Sequence, residues 1–201
     1  MSILIAICGG SCSGKTTLAA HLESKLGDDC LLLSQDDYYF GIEHMEFEGR
    51  LPNFDHPNAI DYPRLIEDTK TLKLGQTISP PKYDWVNHKS TESGISLAPK
   101  PIIILEGMLM LVNESLRDVY DYRHYIECPE NLRLERRLKR DTKERGREKD
   151  EIIWQFENHV APSHWEFVYP SRLHADHIIT QEEYMVDMNS LSERMIAKWP
   201  N

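Results

Sequence analysis

The sequence predicts an α/β fold built on a parallel sheet of about five strands. Three observations point there. Short strand-like runs, continuously apolar at 3–8, 31–33 and 102–105, recur also at 123–128 and 176–180. Segments of helical period alternate with them, as crossover connections require. A glycine-rich loop separates the first run from the first helical segment.

Taken in order, 3–8 is continuously apolar, as in a strand buried on both faces. A helix is predicted over 16–26, with Leu18, Ala19, Leu22 and Leu26 on one stripe and Gly27 at the C-cap position. The run 31–33 is the second strand. Residues 62–74 place Leu65, Ile66, Thr69, Leu72 and Lys73 at helical spacing before Gly75. Residues 76–99 carry several prolines, partly alternating polarity and a turn signal at Glu92-Ser93-Gly94, and read as an inserted hairpin or lid. Strands follow at 102–105 and 123–128, helices at 132–144 and about 149–159, a late strand at 176–180 and a terminal helix at 186–199. At 201 residues, with no repeats and no evident linker, one domain spanning 1–201 is expected. Right-handed crossovers place the loops after Cys8, Leu33 and Leu105 along one edge of the sheet.

A net charge of −10 argues against nucleic acid or an anionic membrane as partner, since both need a broad basic surface. The four cysteines, Cys8, Cys12, Cys30 and Cys128, form no CxxC pair and read as reduced thiols. The first residues lack a basic segment, and their apolar run is too short for a signal peptide or a membrane span. A cytoplasmic protein is expected.

The loop Gly9-Gly10-Ser11-Cys12-Ser13-Gly14-Lys15-Thr16 matches GxxxxGK[ST], between a strand and a helix as that phosphate-binding motif requires. Its glycines allow close backbone approach, its N–H groups and helix N-terminus favour anions, Lys15 reaches the β- and γ-phosphates, and Thr16 ligates Mg²⁺. The expected fold is therefore that of the P-loop NTPases. No Asn-Lys-x-Asp guanine-reading motif is present, which favours ATP over GTP.

Two carboxylates sit at strand ends facing this loop. Glu106 ends the run 102–105, where such an enzyme holds Mg²⁺. Asp36 follows the second strand and is the candidate base for a hydroxyl nucleophile, with a second metal ligand or a turn residue as the other readings. Asp37 is either a loop residue or catalytic. Residues 133–149 hold nine basic residues against four acidic ones in an otherwise acidic chain. Arg133, Arg137 and Arg140 share one helix face, and Gly146 offers a point of closure. A helical lid supplying arginines to a transferring phosphoryl group is expected, rather than a solvated charged face.

The stretches GGSCSGKTT, LSQDDYY, NFDHPNAID, PKYDWVNHK, IIILEG, RRLKRDTKERGRE and YPSRLHADHII closely resemble the uridine–cytidine kinase family of P-loop kinases. The resemblance implies phosphoryl transfer from ATP, with Mg²⁺, to the 5′-hydroxyl of a pyrimidine ribonucleoside in pyrimidine salvage. It places Asp36 at the catalytic aspartate position, Asp55 on the ribose hydroxyls, Phe54 near the sugar and base, Tyr83 and His88 on the base, and Arg137 on the nucleoside side. Arg140, Arg145 and Arg147 serve the lid, Arg147 on the nucleotide side, and Gln155 matches a substrate-side position. Thr17 completes the nucleotide-binding run that begins at Gly9. A homotetramer is implied as well. The chain departs from the family pattern at His88-Lys89-Ser90, at Trp85 and at Met108-Leu109-Met110, and Asp37-Tyr38-Tyr39 is also similar to nicotinamide riboside kinases. A kinase of another small hydroxyl acceptor, such as nicotinamide riboside, ribulose phosphate or pantothenate, and a non-catalytic nucleotide-binding switch are the competing readings.

Overall fold

A computed structural model describes residues 2–45, 47 and 52–200. Five parallel strands form one sheet: β1 (Ile3–Gly9), β2 (Cys30–Ser34), β5 (Ile102–Gly107), β6 (Tyr122–Ile126) and β7 (His177–Ile179). Their spatial order is β2–β5–β1–β6–β7. The register aligns Ser34 with Glu106 and Glu106 with Ile7, so the C-terminal ends of β2, β5 and β1 are level. The loops that follow these strands therefore open on the same edge, as right-handed crossovers require.

Alternate residues of the strands enter two separate cores. On one face Leu4, Ala6, Leu33, Ile103 and Leu105 pack with Leu65 and Leu72 of α2 (Tyr62–Lys73). On the other, Ile5, Ile7, Ile104 and Ile126 pack with Leu18 and Leu22 of α1 (Lys15–Leu26), and with Leu191 and Met195 of the terminal helix Met188–Ile196. Burial on both faces is why these strands read as continuous apolar runs.

The inserted segment forms an antiparallel hairpin, β3 (Pro81–Asp84) and β4 (Lys89–Glu92). Its turn lies at Trp85–His88, not at the 92–94 signal, which falls where β4 ends. Asp84 decides this: its Oδ1 accepts from the N–H of Val86 at 2.8 Å and of Asn87 at 3.1 Å, and His88 takes φ +51°.

The basic segment lies mainly on α4 (Glu130–Arg145), which ends at Gly146 in the left-handed conformation. From α5 (Lys149–Gln155) the chain stays helical to His174, well past the predicted end near 159. It passes through two wide π stretches, Phe156–Val160 and His164–Val168. Pro162 and Pro170 each follow one of these stretches by two residues. Proline cannot donate to an ordinary helical turn, and the wide turns accommodate it. The short helices α3 (Glu114–Arg117) and Gln181–Val186 were not evident from periodicity. Among the described residues no helix is long and apolar enough to cross a membrane.

Candidate active site

The phosphate loop is shaped by unusual backbone angles: Gly9 has φ +154°, Cys12 +61° and Gly14 +105°. The Ser13 N–H donates to the Gly10 carbonyl at 3.0 Å and closes the loop. Its outer side is tied down. Arg136 Nη1 donates to the carbonyls of Cys12 and Ser13 at 3.4 and 3.3 Å, and Tyr184 Oη donates to the carbonyl of Gly14 at 3.0 Å. A loop of this conformation aims its N–H groups inward as an anion nest, at the N-terminus of α1. Behind Gly10 lie two buried side chains, Arg133 and His164. A Cβ on residue 10 would lie 2.9 Å from His164 Nδ1 and 3.0 Å from Arg133 Cδ and Nη1. Arg133 therefore buttresses the loop from behind, and of the predicted trio only Arg137 and Arg140 face the cleft. Burial, and then the Arg133 charge, push His164 down to about 3, so it stands neutral beside that guanidinium.

Glu106, 4% exposed, sits under the mouth of the loop. Its carboxylate accepts from Thr16 Oγ1 at 3.1 Å and from Ser34 Oγ at 3.0 Å. Burial raises its carboxyl above the ordinary range, Lys15 opposes that shift, and the nearby charge of Asp36 adds to it. Ser34 also accepts from the Asp36 N–H at 3.2 Å, which fixes the turn that presents Asp36 to the cleft. Asp37 points elsewhere, pairing with Lys82 of β3 at 2.9 Å. It ties the acidic turn to the hairpin. Asp55 is buried, and burial raises its carboxyl against the opposing charges of Arg137, His159 and Lys15.

Hard oxygen donors at Thr16 and Glu106, on level strand and helix ends, suit Mg²⁺. Its remaining ligands usually come from substrate phosphates and water. Among the described residues there is no cluster of three or more His, Cys, Asp or Glu side chains able to hold a metal by itself.

The acceptor side of the cleft is aromatic. Phe54 stacks on His88 with centroids 5.2 Å apart and planes 19° from parallel. Tyr39 makes edge contacts with Phe54 at 5.9 Å and with Trp85 at 5.3 Å. Tyr83 does not line the cleft. Its ring is 3% exposed, packed behind Trp85 at 4.7 Å, and its Oη lies 3.5 Å from His88 Nδ1. It supports the aromatic wall from behind.

The arginines close the far side. Arg137 donates to Ser11 Oγ and to Gln155 Oε1, both at 2.9 Å, and Arg147 donates to the same Gln155 oxygen at 2.7 Å. The Arg145 guanidinium lies 5.6 Å from the Trp85 ring centroid, joining the end of α4 to the hairpin across the cleft.

One cleft of about 610 Å³ is thus lined by Lys15, Thr16, Asp36, Phe54, Asp55, His88, Arg137, Arg140, Arg145, Arg147 and Gln155. Those residues come from widely separated parts of the chain. Gly9, Gly10, Cys12, Ser13, Gly14 and Thr17 form the loop and first helical turn beside it, and Glu106 lies beneath. Sequence reasoning missed Ser34, Tyr39 and Asp141. Asp141 had one available signal, an acid four residues after Arg137 and one after Arg140.

The model of the phosphoribulokinase/uridine kinase family matches residues 4–187. Proteins named uridine kinase are similar to this chain. One from Staphylococcus haemolyticus (strain JCSC1435) is 44% identical over 180 residues, covering 89% of this chain and 87% of that protein. Another from Staphylococcus aureus (strain Newman) is 43% identical with the same coverage. Among solved structures, a protein described as a candidate fructose transport system kinase from Silicibacter sp. TM1040 superposes with a TM-score of 0.76 at 22% identity, covering 88% of this chain and 89% of that one. A structure described as a possible uridine kinase from Bacillus stearothermophilus gives 0.67 at 20% identity, covering 88% of both chains. These two likenesses show the fold.

Proposed function

The chain belongs to the phosphoribulokinase/uridine kinase family, and from that premise we propose that it is a nucleoside kinase. It transfers the γ-phosphoryl group of ATP to the 5′-hydroxyl of a pyrimidine ribonucleoside, uridine or cytidine. One observation carries this reading: a single cleft, about 610 Å³, joins the phosphate loop to an aromatic wall, with two carboxylates between them. That volume lies within the usual range for a small-molecule site.

The loop amides and Lys15 hold the triphosphate. Phe54, Trp85 and His88 offer ring faces and edges to a planar base, and Asp55 accepts from the ribose hydroxyls. Asp36 orients the 5′-hydroxyl and accepts its proton as the oxygen bonds to the γ-phosphorus. The bond from that phosphorus to the β–γ bridging oxygen breaks, and ADP departs with the electron pair. The transition state is loose, so alignment of the hydroxyl matters more than its early deprotonation. Arg140, Arg145 and Arg147 neutralise charge on the transferring group. Thr16 and Glu106 would hold Mg²⁺, which when bound neutralises phosphate charge.

The test is a panel of acceptors, comprising uridine, cytidine, nicotinamide riboside, ribulose 5-phosphate and pantothenate, incubated with ATP and Mg²⁺ and scored by product mass. Uridine and cytidine are expected to gain one phosphoryl group. Turnover of a different acceptor with none of these two would overturn the substrate assignment. Asp36→Asn is expected to keep ATP binding and to lose at least about 10²-fold in acceptor phosphorylation. Near-normal turnover in that variant would reassign Asp36 to structure.

A further inference from the structure

Four guanidinium groups of the cleft converge on one carboxylate outside it. Asp141 is fully buried and does not line the cleft, whereas Arg137, Arg140, Arg145 and Arg147 all do. Its Oδ1 lies 2.7 Å from Arg140 Nε and 3.7 Å from Arg145 Nε. Its Oδ2 lies 3.5 Å from Arg137 Nε and 3.7 Å from Arg147 Nη1. The turn that makes this possible is built on the same residue. The Asp141 carbonyl accepts from the N–H groups of Gly146 and Arg147, and Gly146 takes φ +61°, so the chain reverses and returns Arg147 to the carboxylate.

The geometry is lopsided in a useful way. Only the Arg140 contact is at hydrogen-bond distance. The other three are looser ion pairs, which leave guanidinium donors for a ligand. Four like charges in one cleft repel each other, and a carboxylate among them offsets that repulsion and fixes the direction of each fork. Burial alone would raise the Asp141 carboxyl. The hydrogen bond and charge of Arg140, followed by the charges of Arg137 and Arg145, outweigh burial and leave it below the ordinary range.

Given the phosphoryl-transfer reading above, we infer that Asp141 is a positioning residue for the reaction. It holds the four arginines aimed into the cleft before phosphate arrives, and Arg145 and Arg147 trade their loose pairs for phosphoryl oxygens when it does. Its charge therefore competes with bound phosphate while its geometry serves the transition state.

Kinetics and equilibrium ATP titration on Asp141→Asn separate this role from a merely structural one. The variant is expected to bind ATP at least as tightly as the parent and to keep the acceptor KM within about threefold. Its kcat is expected to fall about tenfold to a hundredfold, the cost of misaligned groups. An unchanged kcat overturns the inference, and so does a joint loss of ATP binding and rate. Should Asp141→Asn not fold, Asp141→Glu keeps the charge and displaces it by one methylene. Combined with Arg147→Gln, either variant is expected to affect kcat non-additively, because both changes act on one cluster. Additive effects overturn the inference. Absence of nucleoside turnover in the parent overturns the kinase reading together with it, whereas an active parent matched by Asp141→Asn overturns the inference alone.

Discussion

Gly10→Ala should weaken ATP binding through sterics alone. A methyl group at residue 10 meets His164 Nδ1 at 2.9 Å and Arg133 Cδ and Nη1 at 3.0 Å. Ordinary carbon contacts begin near 3.5 Å, so the shortfall is about 0.5 Å on several atoms at once. Neither neighbour retreats easily. Arg133 and His164 are buried, and Arg133 Nε is held by the Cys128 carbonyl at 3.3 Å. The loop itself must move, and it carries the amides that face phosphate. Overpacking of this size costs about 1–3 kcal/mol. Taken entirely from ATP affinity, that is roughly a fivefold to more than hundredfold rise in Kd. The assay is equilibrium ATP titration beside a thermal melt, on Gly10→Ala and on Gly10→Ala/His164→Ala. The double variant removes the nearest contact and is expected to recover part of the affinity. Unchanged ATP affinity in Gly10→Ala would refute the reasoning, as would a second substitution that recovers none of it.

Asp55→Asn should stabilise the ligand-free protein while damaging the reaction. A carboxyl whose folded pKa is raised binds its proton more tightly folded than unfolded. Its destabilising effect is therefore complete above the folded pKa and is relieved as pH falls toward the ordinary aspartate range. The variant is expected to melt higher than the parent at pH 7, with a smaller difference at pH 5. Its kcat/KM for the nucleoside should fall about tenfold to a hundredfold, from losing charge-assisted hydrogen bonds. A lower melting temperature at pH 7 would contradict the sign. Glu106→Gln keeps one oxygen, able to accept from Thr16 or from Ser34, which donate to different oxygens of Glu106, and it loses the charge. The Mg²⁺ concentration giving half-maximal stabilisation by ADP, read as a shift in Tm, should rise at least about tenfold. An unchanged Mg²⁺ dependence would remove Glu106 from the metal site.

Local chemistry made part of this protein legible in the sequence. The phosphate loop is contiguous, and its glycines, Lys15 and Thr16 act from consecutive backbone positions. Strands buried on both faces leave unbroken apolar runs, and α1, α2 and α4 leave helical periods with no proline beyond the first turn. The helical period after Lys149 fades near 159 in the sequence, whereas the chain stays helical past Pro162 and Pro170 because wide turns, visible only in the packed structure, absorb them. The glycine signal at 92–94 marks the end of β4, whereas the hairpin turn rests on the side chain of Asp84, whose two backbone contacts are visible only in three dimensions.

The site divides in the same way. Asp36, Asp55 and the lid arginines could be named from the chain, but the direction of each side chain could not. Arg133 shares a helix face with Arg137 yet turns behind the phosphate loop, and Asp37 turns from the cleft to Lys82. Asp141 looks like one acid in a charged helix and proves to be the carboxylate on which four arginines close. Spacing along a chain fixes which residues can share an element. Which neighbour a long charged side chain chooses depends on how the elements pack, as with Lys82 for Asp37 and the phosphate loop for Arg133, and only the tertiary structure brings those groups within reach.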